Sequence, residues 1–252
     1  MSHPTRGAHN RVDSDLLSHV VAVLVSFCVG LPILARGLRA GDRPVALLGA
    51  AVTIDGLEWL LWLMAAFTPL RDTPAEPILA SACRLGIVAT TSLMLGFTLL
   101  VFRRDSRGAL AAFWILNAAM AVSLLASGAV GDWRGARSDL PWVWLENGAQ
   151  VGAYGWAAAE AFAHYSNMRR RSAIGLVDPL VANRFRLWGL YASMFVLTQV
   201  GYFSTLVLFV DLPAFELGLT LLTIGGEMAL WFAFFPPAWY AQRVANRLGE
   251  TA

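Results

Sequence analysis

The sequence predicts an all-α membrane protein, a bundle of seven transmembrane helices with its N-terminus outside and its C-terminus in the cytoplasm. Composition, seven apolar segments and the placement of arginine support this fold class. The 252 residues are 57% hydrophobic and 14% charged, with a mean hydropathy of +0.57. Because a soluble domain usually carries about 25% charged residues, this chain has too few to cover a soluble surface. The composition also excludes disordered, collagen-like and nucleic-acid-binding proteins, so we expect no nucleic-acid partner.

Seven apolar segments are close to the length of about 20 residues that a helix needs to cross the bilayer core. In chain order they are residues 17–35, 44–66, 78–102, 109–130, 141–163, 187–210 and 213–236. Charged or turn-forming residues separate them, for example Gly41-Asp42-Arg43 after the first segment and Arg103-Arg104-Asp105 after the third. We therefore divide the chain into a polar N-terminal tail (1–16), a transmembrane domain (17–240) and a cytoplasmic tail (241–252).

Arginine placement predicts the orientation, because cytoplasmic loops are enriched in basic residues. All nineteen basic residues are arginines, and the chain has no lysine. Thirteen follow the first, third, fifth and seventh segments: Arg36, Arg39, Arg43, Arg103, Arg104, Arg107, Arg169, Arg170, Arg171, Arg184, Arg186, Arg243 and Arg247. The opposite side holds five, so the predicted location is a cell membrane, such as the bacterial inner membrane, with the C-terminus in the cytoplasm. Without lysine there is no retinal Schiff base, and we expect no cofactor.

Charged side chains inside the predicted segments are the main indication of function. A charge at the bilayer centre costs from about 2.5 to above 10 kcal/mol, so such residues pair or do chemistry. They are Asp55, Glu58, Arg84, Glu146, Glu160, Glu216 and Glu227. Asp55 and Glu58 are three residues apart and share a helix face. The fifth segment adds a polar stripe of Glu146, Asn147, Gln150 and Tyr154, which predicts an internal polar chamber in the outer half of the bundle.

Two interpretations of this chamber remain open. In the first, Arg84 neutralises one carboxylate and the amides satisfy the others, so that the polar residues only hold the helices together. In the second, several acids crowd one arginine, and burial together with like charge keeps some of them protonated. A buried carboxylic acid beside an apolar cavity is a proton donor. Four tryptophans that are too deep for the membrane interface either pack or stabilise a cation: Trp59, Trp62, Trp156 and Trp231.

Two short stretches resemble the integral-membrane terpene cyclases of meroterpenoid and indole-terpenoid pathways. One is Asp55-Gly56-Leu57-Glu58-Trp59-Leu60-Leu61-Trp62 in the second segment, and the other is Gly225-Gly226-Glu227-Met228 in the last. The chain departs from the family at Leu57, where the family has Trp, and at Glu227, where it usually has Asp. The resemblance implies that Glu58 and Glu227 protonate an epoxide or alkene of a prenyl chain, without a metal and without loss of diphosphate.

The favoured function is thus an acid-initiated cyclase or isomerase of a lipid-soluble prenyl substrate. Glu58 would donate the proton, Asp55 would be its hydrogen-bond partner, Glu227 would be a second acid or late base, and Arg84 and Glu146 would tune the site. A seven-helix ligand sensor that signals through its arginine-rich loops is the alternative, as is an accessory subunit of a membrane complex. The expected partners are membrane lipids, a lipophilic small molecule and a membrane protein that binds the loop at 165–186.

Overall fold

The computed structural model describes residues 6–70, 73–133, 140–172, 174–208 and 213–249. Throughout this part the chain is helical, without strands, which confirms the all-α prediction. Its eight helices are α1 (Arg6–Ala40), α2 (Arg43–Phe67), α3 (Ala75–Phe102), α4 (Arg107–Ala129), α5 (Pro141–Ser172), α6 (Pro179–Leu208), α7 (Pro213–Phe234) and α8 (Ala238–Gly249).

Within the described residues, five helices are long and apolar enough to cross a membrane: α1 over Leu16–Ala40, α2, α3, α4, and α7 over Phe215–Phe234. The other two predicted spans, α5 and α6, are of similar length but more polar. In α5 the reason is visible in the packing, because Glu146, Gln150 and Glu160 are all buried. Polar side chains that face the protein lower the hydropathy of a helix without exposing charge to lipid.

Helix ends follow local sequence signals. Gly41, with a φ of 65°, turns the chain after α1, and the Asp42 carboxylate accepts a hydrogen bond from the Val45 amide at the start of α2. Ser106 caps α4 in the same way through the Ala109 amide. Proline has no amide hydrogen to donate, so Pro236-Pro237 separates α7 from α8.

Several predicted boundaries differ from the structure. Helix α1 begins at Arg6, inside the predicted polar tail, and α8 occupies most of the predicted cytoplasmic tail. The segment 165–186 is not a long loop, because α5 continues to Ser172 and α6 already begins at Pro179. Charged residues end an apolar segment without ending the helix, so these helices continue beyond the predicted segments. Residues 1–5, 209–212 and 250–252, which include the predicted end of the sixth segment, lie outside the described residues.

Six helices form a ring in the order α1, α2, α3, α5, α6, α7, with α7 packed back against α1. Helix α4 stands outside the ring and packs on α3 and α5. The half of the ring nearer α8 is filled by a hydrophobic core that includes Val29, Leu95, Tyr154 and Leu230, each at most 1% exposed. The other half contains the cavity described below.

Helices α1 and α2 approach closely along a seam of glycines spaced by seven residues, Gly30 and Gly37 on α1 and Gly49 and Gly56 on α2. A side chain at Gly37 or Gly49 would overlap the backbone of the facing helix. Small residues of this kind let helix backbones come together in membrane proteins. The seam fixes one wall of the cavity.

Candidate functional site

A cavity of about 880 Å³ occupies the interior of the ring, and all six ring helices contribute to its lining. It runs from the ends of the helices at Phe67, Glu76 and Glu216 down to Gly226. Ten residues singled out from the sequence line it: Asp55, Glu58, Trp59, Trp62, Arg84, Glu146, Asn147, Gln150, Glu216 and Glu227. The polar stripes of α2, α5 and α7 therefore face one common space.

Asp55 is held by a hydrogen bond across the seam between α1 and α2. The Ser26 hydroxyl donates to Asp55 Oδ2 at 2.8 Å, with the serine fully buried and the aspartate 3% exposed. Asp55 thus has a dedicated donor on the neighbouring helix α1.

Glu58 and Glu227 each bury one carboxyl oxygen that has no such donor. In each, the Oε2 atom is inaccessible and has no hydrogen-bond partner among the described residues. Both carboxyls lie near enough to Asp55 to interact with it electrostatically. At Gly86 the α3 backbone passes close to Glu58, so that an added Cβ would sit 3.0 Å from the Glu58 Cβ. The three acids form one cluster built by α2 and α7.

Arg84 does not pair with that cluster. Its Nε atom lies 3.1 Å from Glu146 Oε2 and its Nη2 atom 2.5 Å from the same oxygen. The guanidinium also donates to Ser123 and to the carbonyl oxygens of Asp132 and Trp133. The positive charge of Arg84 is therefore compensated by Glu146 on α5.

Three predicted site residues do not line the cavity. Tyr154 lies behind its floor, stacked on Phe195 with ring centroids 3.7 Å apart. Trp231 packs against Phe235 towards α8, away from the acids. Of the four tryptophans predicted to form a wall, only Trp59 and Trp62 line the cavity. Trp156 and Trp231 pack against other side chains.

Trp156, the third of these residues, belongs to a separate polar contact near the other end of α5. Its Nε1 donates to Glu160 Oε1 at 3.2 Å, and Arg103 Nε donates to the same oxygen at 2.7 Å. The hydrogen bond and the charge of Glu160 raise the pKa of the Arg103 guanidinium above its usual value. This group joins α3 and α5 and has no access to the cavity.

His19 lines the cavity and was not predicted as a site residue. Its ring stacks on Trp62 with centroids 4.1 Å apart and meets the edge of Trp59 at 4.7 Å. Ser26, the donor to Asp55 that lies seven residues further along α1, was not predicted either. The spacing of His19 and Ser26 could have indicated both, because two polar residues seven positions apart in an apolar helix share a face. From α6, Tyr191, Phe195 and Gln199 line the cavity as well, and Gln199 Nε2 lies 3.5 Å from Gln150 Oε1.

Within the described ranges, no group of three or more His, Cys, Asp or Glu side chains has the arrangement of a metal site. Comparison of the chain with protein-family models, with curated proteins and with solved structures finds no match.

Proposed function

We propose that this protein is a membrane-embedded, acid-initiated cyclase or isomerase of a prenyl-chain lipid. The observation that carries the proposal is the acid cluster, in which Glu58 and Glu227 each bury an unpartnered carboxyl oxygen beside the cavity. An ionised carboxylate without partners is strongly disfavoured in such surroundings, whereas the neutral acid is tolerated. A neutral carboxylic acid on the wall of a cavity is placed to donate its proton.

The rest of the cavity suits a substrate that becomes a carbocation. Its volume lies within the range of about 300–1,000 Å³ found for small-molecule sites. Trp59 and Trp62 add aromatic surface to the wall that carries Glu58, and aromatic faces attract cations. The positive charge of Arg84 would repel a carbocation, but the ion pair with Glu146 neutralises that charge.

The proposed reaction begins when Glu58 transfers its proton to an epoxide oxygen or an alkene carbon of the prenyl chain. The electron pair of a neighbouring double bond then closes a ring and moves the positive charge along the chain. Loss of a proton from a carbon next to the charge ends the reaction, so the product is an isomer of the substrate. Glu227 acts as a second acid or a late base.

The proposed topology has α1 to α7 crossing a cell membrane, with the N-terminus outside and α8 lying along the cytoplasmic surface. The arginine distribution supports this orientation. Helix α8 is strongly amphipathic and exposes Trp239, as expected of a helix in the membrane interface. The cavity then lies in the outer half, where a lipid substrate reaches it from the bilayer, and the segment 165–186 faces cytoplasmic protein partners.

A direct test is conversion of an epoxidised farnesyl-chain substrate by membranes that contain the full chain. We expect a cyclised product from the wild type and none from Glu58→Gln. Glu160→Gln is the matched control, because it removes a buried carboxyl at the far end of α5 and should retain turnover. Equal turnover by wild type and Glu58→Gln would contradict the assignment of Glu58.

The second candidate is a ligand sensor that uses the same cavity. The amide side chains of Asn147, Gln150 and Gln199 favour it, because they offer hydrogen bonds to a polar ligand. A sensor depends on an intact segment 165–186 to reach a partner, whereas a cyclase tolerates substitutions there. If folded wild-type protein yields no cyclised product, binding of small polar ligands and capture of membrane partners become the next measurements.

A further inference from the structure

The three acids of the cluster differ in their hydrogen bonding, and this difference bears on the proton balance of the proposed reaction. Asp55 Oδ2 accepts a hydrogen bond from the Ser26 hydroxyl at 2.8 Å. Glu58 and Glu227 each keep one buried oxygen without a donor. Hydrogen bonds to the charged form favour it, while burial without such bonds favours the neutral form.

The Ser26 donor is fixed by the packing of α1 on α2. Gly56 follows Asp55 directly, and a Cβ at Gly56 would lie 3.0 Å from the Ser26 Cβ. Gly30 and Gly49 bring the same two backbones together further along the seam. The hydroxyl therefore stays opposite Asp55 without a mobile side chain or loop to hold it there.

Other titratable groups face Asp55 from the remaining ring helices, and none of them supplies a positive charge. They are Cys83 on α3, Tyr154 on α5, Tyr191 on α6, Glu227 on α7 and its own neighbour Glu58. Arg84 and His19 also line the cavity. Arg84 is bound to Glu146, and the His19 ring stacks on Trp62. The Ser26 donor on Asp55 and the unpartnered Oε2 atoms of the two glutamates thus distinguish the three acids.

We propose that Asp55 is the carboxylate of the cluster and the acceptor of the terminal proton, that Glu58 and Glu227 hold the protons, and that Ser26 is the positioning residue for Asp55. This inference rests on the proposed function. Asp55 is a catalytic residue in it, since it lines the cavity. Ser26 does not line the cavity and acts through Asp55.

The proton balance closes within the cluster. The Glu58 O–H bond breaks and its proton joins the substrate, which leaves Glu58 as a carboxylate. After ring closure, a C–H bond beside the cationic carbon breaks, its electron pair becomes a new double bond, and the proton passes to Asp55. Transfer of that proton from Asp55 to Glu58 restores the starting state. No oxidant, metal or co-substrate is required.

Infrared spectroscopy of the full chain in lipid vesicles tests the proton assignment without any substrate. Protonated carboxyl groups have a C=O stretching band that carboxylates lack. We expect Glu58→Gln and Glu227→Gln each to remove such a band at neutral pH, and Asp55→Asn to remove none. Ser26→Ala should add a band, because Asp55 then loses its donor, and Ser127→Ala is the control, since this buried hydroxyl has no hydrogen-bond partner within the described part of the chain.

Loss of a protonated-carboxyl band in Asp55→Asn would overturn the assignment, as would an unchanged spectrum in both glutamate variants. Ser26→Ala should lower the turnover rate about tenfold, the size of effect expected for loss of a hydrogen bond to a charged group. Ser127→Ala should leave the rate unchanged. The two proposals fail separately. If the infrared bands are as expected but the prenyl substrate is not turned over, the cyclase proposal is rejected and the proton assignment stands. If the substrate is turned over but Asp55→Asn loses a protonated-carboxyl band, the cyclase proposal stands and the proton assignment is rejected.

Discussion

Arg84 and Glu146 form a buried ion pair between α3 and α5, with side-chain exposures of 5% and 7%. Two guanidinium nitrogens approach the carboxylate, and Ser123 donates to Glu146 Oε2 at 3.0 Å. Arg84 also reaches the carbonyl oxygens of Asp132 and Trp133, just after α4. One side chain thereby ties three helices together beside the cavity.

Breaking this pair on one side should destabilise the protein. In Glu146→Leu the Arg84 charge is buried without compensation, and such a change costs about 3–5 kcal/mol. The double variant Arg84→Met with Glu146→Leu removes both charges and should recover most of that loss. Unfolding of the purified protein in detergent, followed by tryptophan fluorescence, measures both. A double variant less stable than Glu146→Leu would show that the polar network itself stabilises the bundle.

The seam between α1 and α2 should be sensitive to a single methyl group. Gly49→Ala places a Cβ against the backbone of Leu34, and overpacking of this kind costs about 1–3 kcal/mol. Gly155→Ala in α5 is the matched control, because open space surrounds that position. The control should gain a few tenths of a kcal/mol or more from helix propensity. Thermal unfolding of both variants gives the comparison, and equal stability would mean that the helices adjust to the added methyl group.

Much of the helical framework is predictable from the sequence because apolar runs, charged ends and caps are local signals. Helices α2, α3 and α4 begin and end within three residues of the predicted segments. Helix α8 was not predicted, since a short amphipathic segment with two arginines has the composition of a polar tail. Helix α1 continues into the predicted tail for the same reason.

The site was partly predictable for a different reason. A charge in an apolar span is conspicuous, so Asp55, Glu58 and Glu227 were found, and helix periodicity put the first two on one face. Which partner each group takes depends on distances between helices, and the sequence contains no local signal for these. Two features could not be predicted for this reason. Arg84 pairs with Glu146 and not with the acids of α2, and Trp231 lies outside the cavity.

Trp62 and Trp231 offer a matched test of the aromatic wall. Trp62 lines the cavity and stacks on His19, whereas Trp231 packs on Phe235 away from it. If the wall stabilises a cationic intermediate, Trp62→Leu removes a cation–π contribution of about 0.5–2 kcal/mol, equivalent to a loss of roughly two- to thirtyfold in turnover. Trp231→Leu should leave turnover near the wild-type value. The same loss in both variants would point to general destabilisation instead.

Helix α8 contacts α7 through the Phe232 ring and α6 through a hydrogen bond, and the hydrogen bond makes its position testable. Asn183 Nδ2 donates to the Tyr240 hydroxyl at 2.9 Å, and Asn183 is 6% exposed. Tyr240→Phe keeps the ring but leaves the amide without this acceptor, at a cost of about 1–3 kcal/mol for an unsatisfied buried group. Because the contact joins α6 to α8, we expect α8 to separate from the bundle before the rest unfolds. Hydrogen exchange should show faster exchange in residues 238–246 with the ring helices unchanged, and uniform exchange across α6, α7 and α8 would instead make the three helices one cooperative unit.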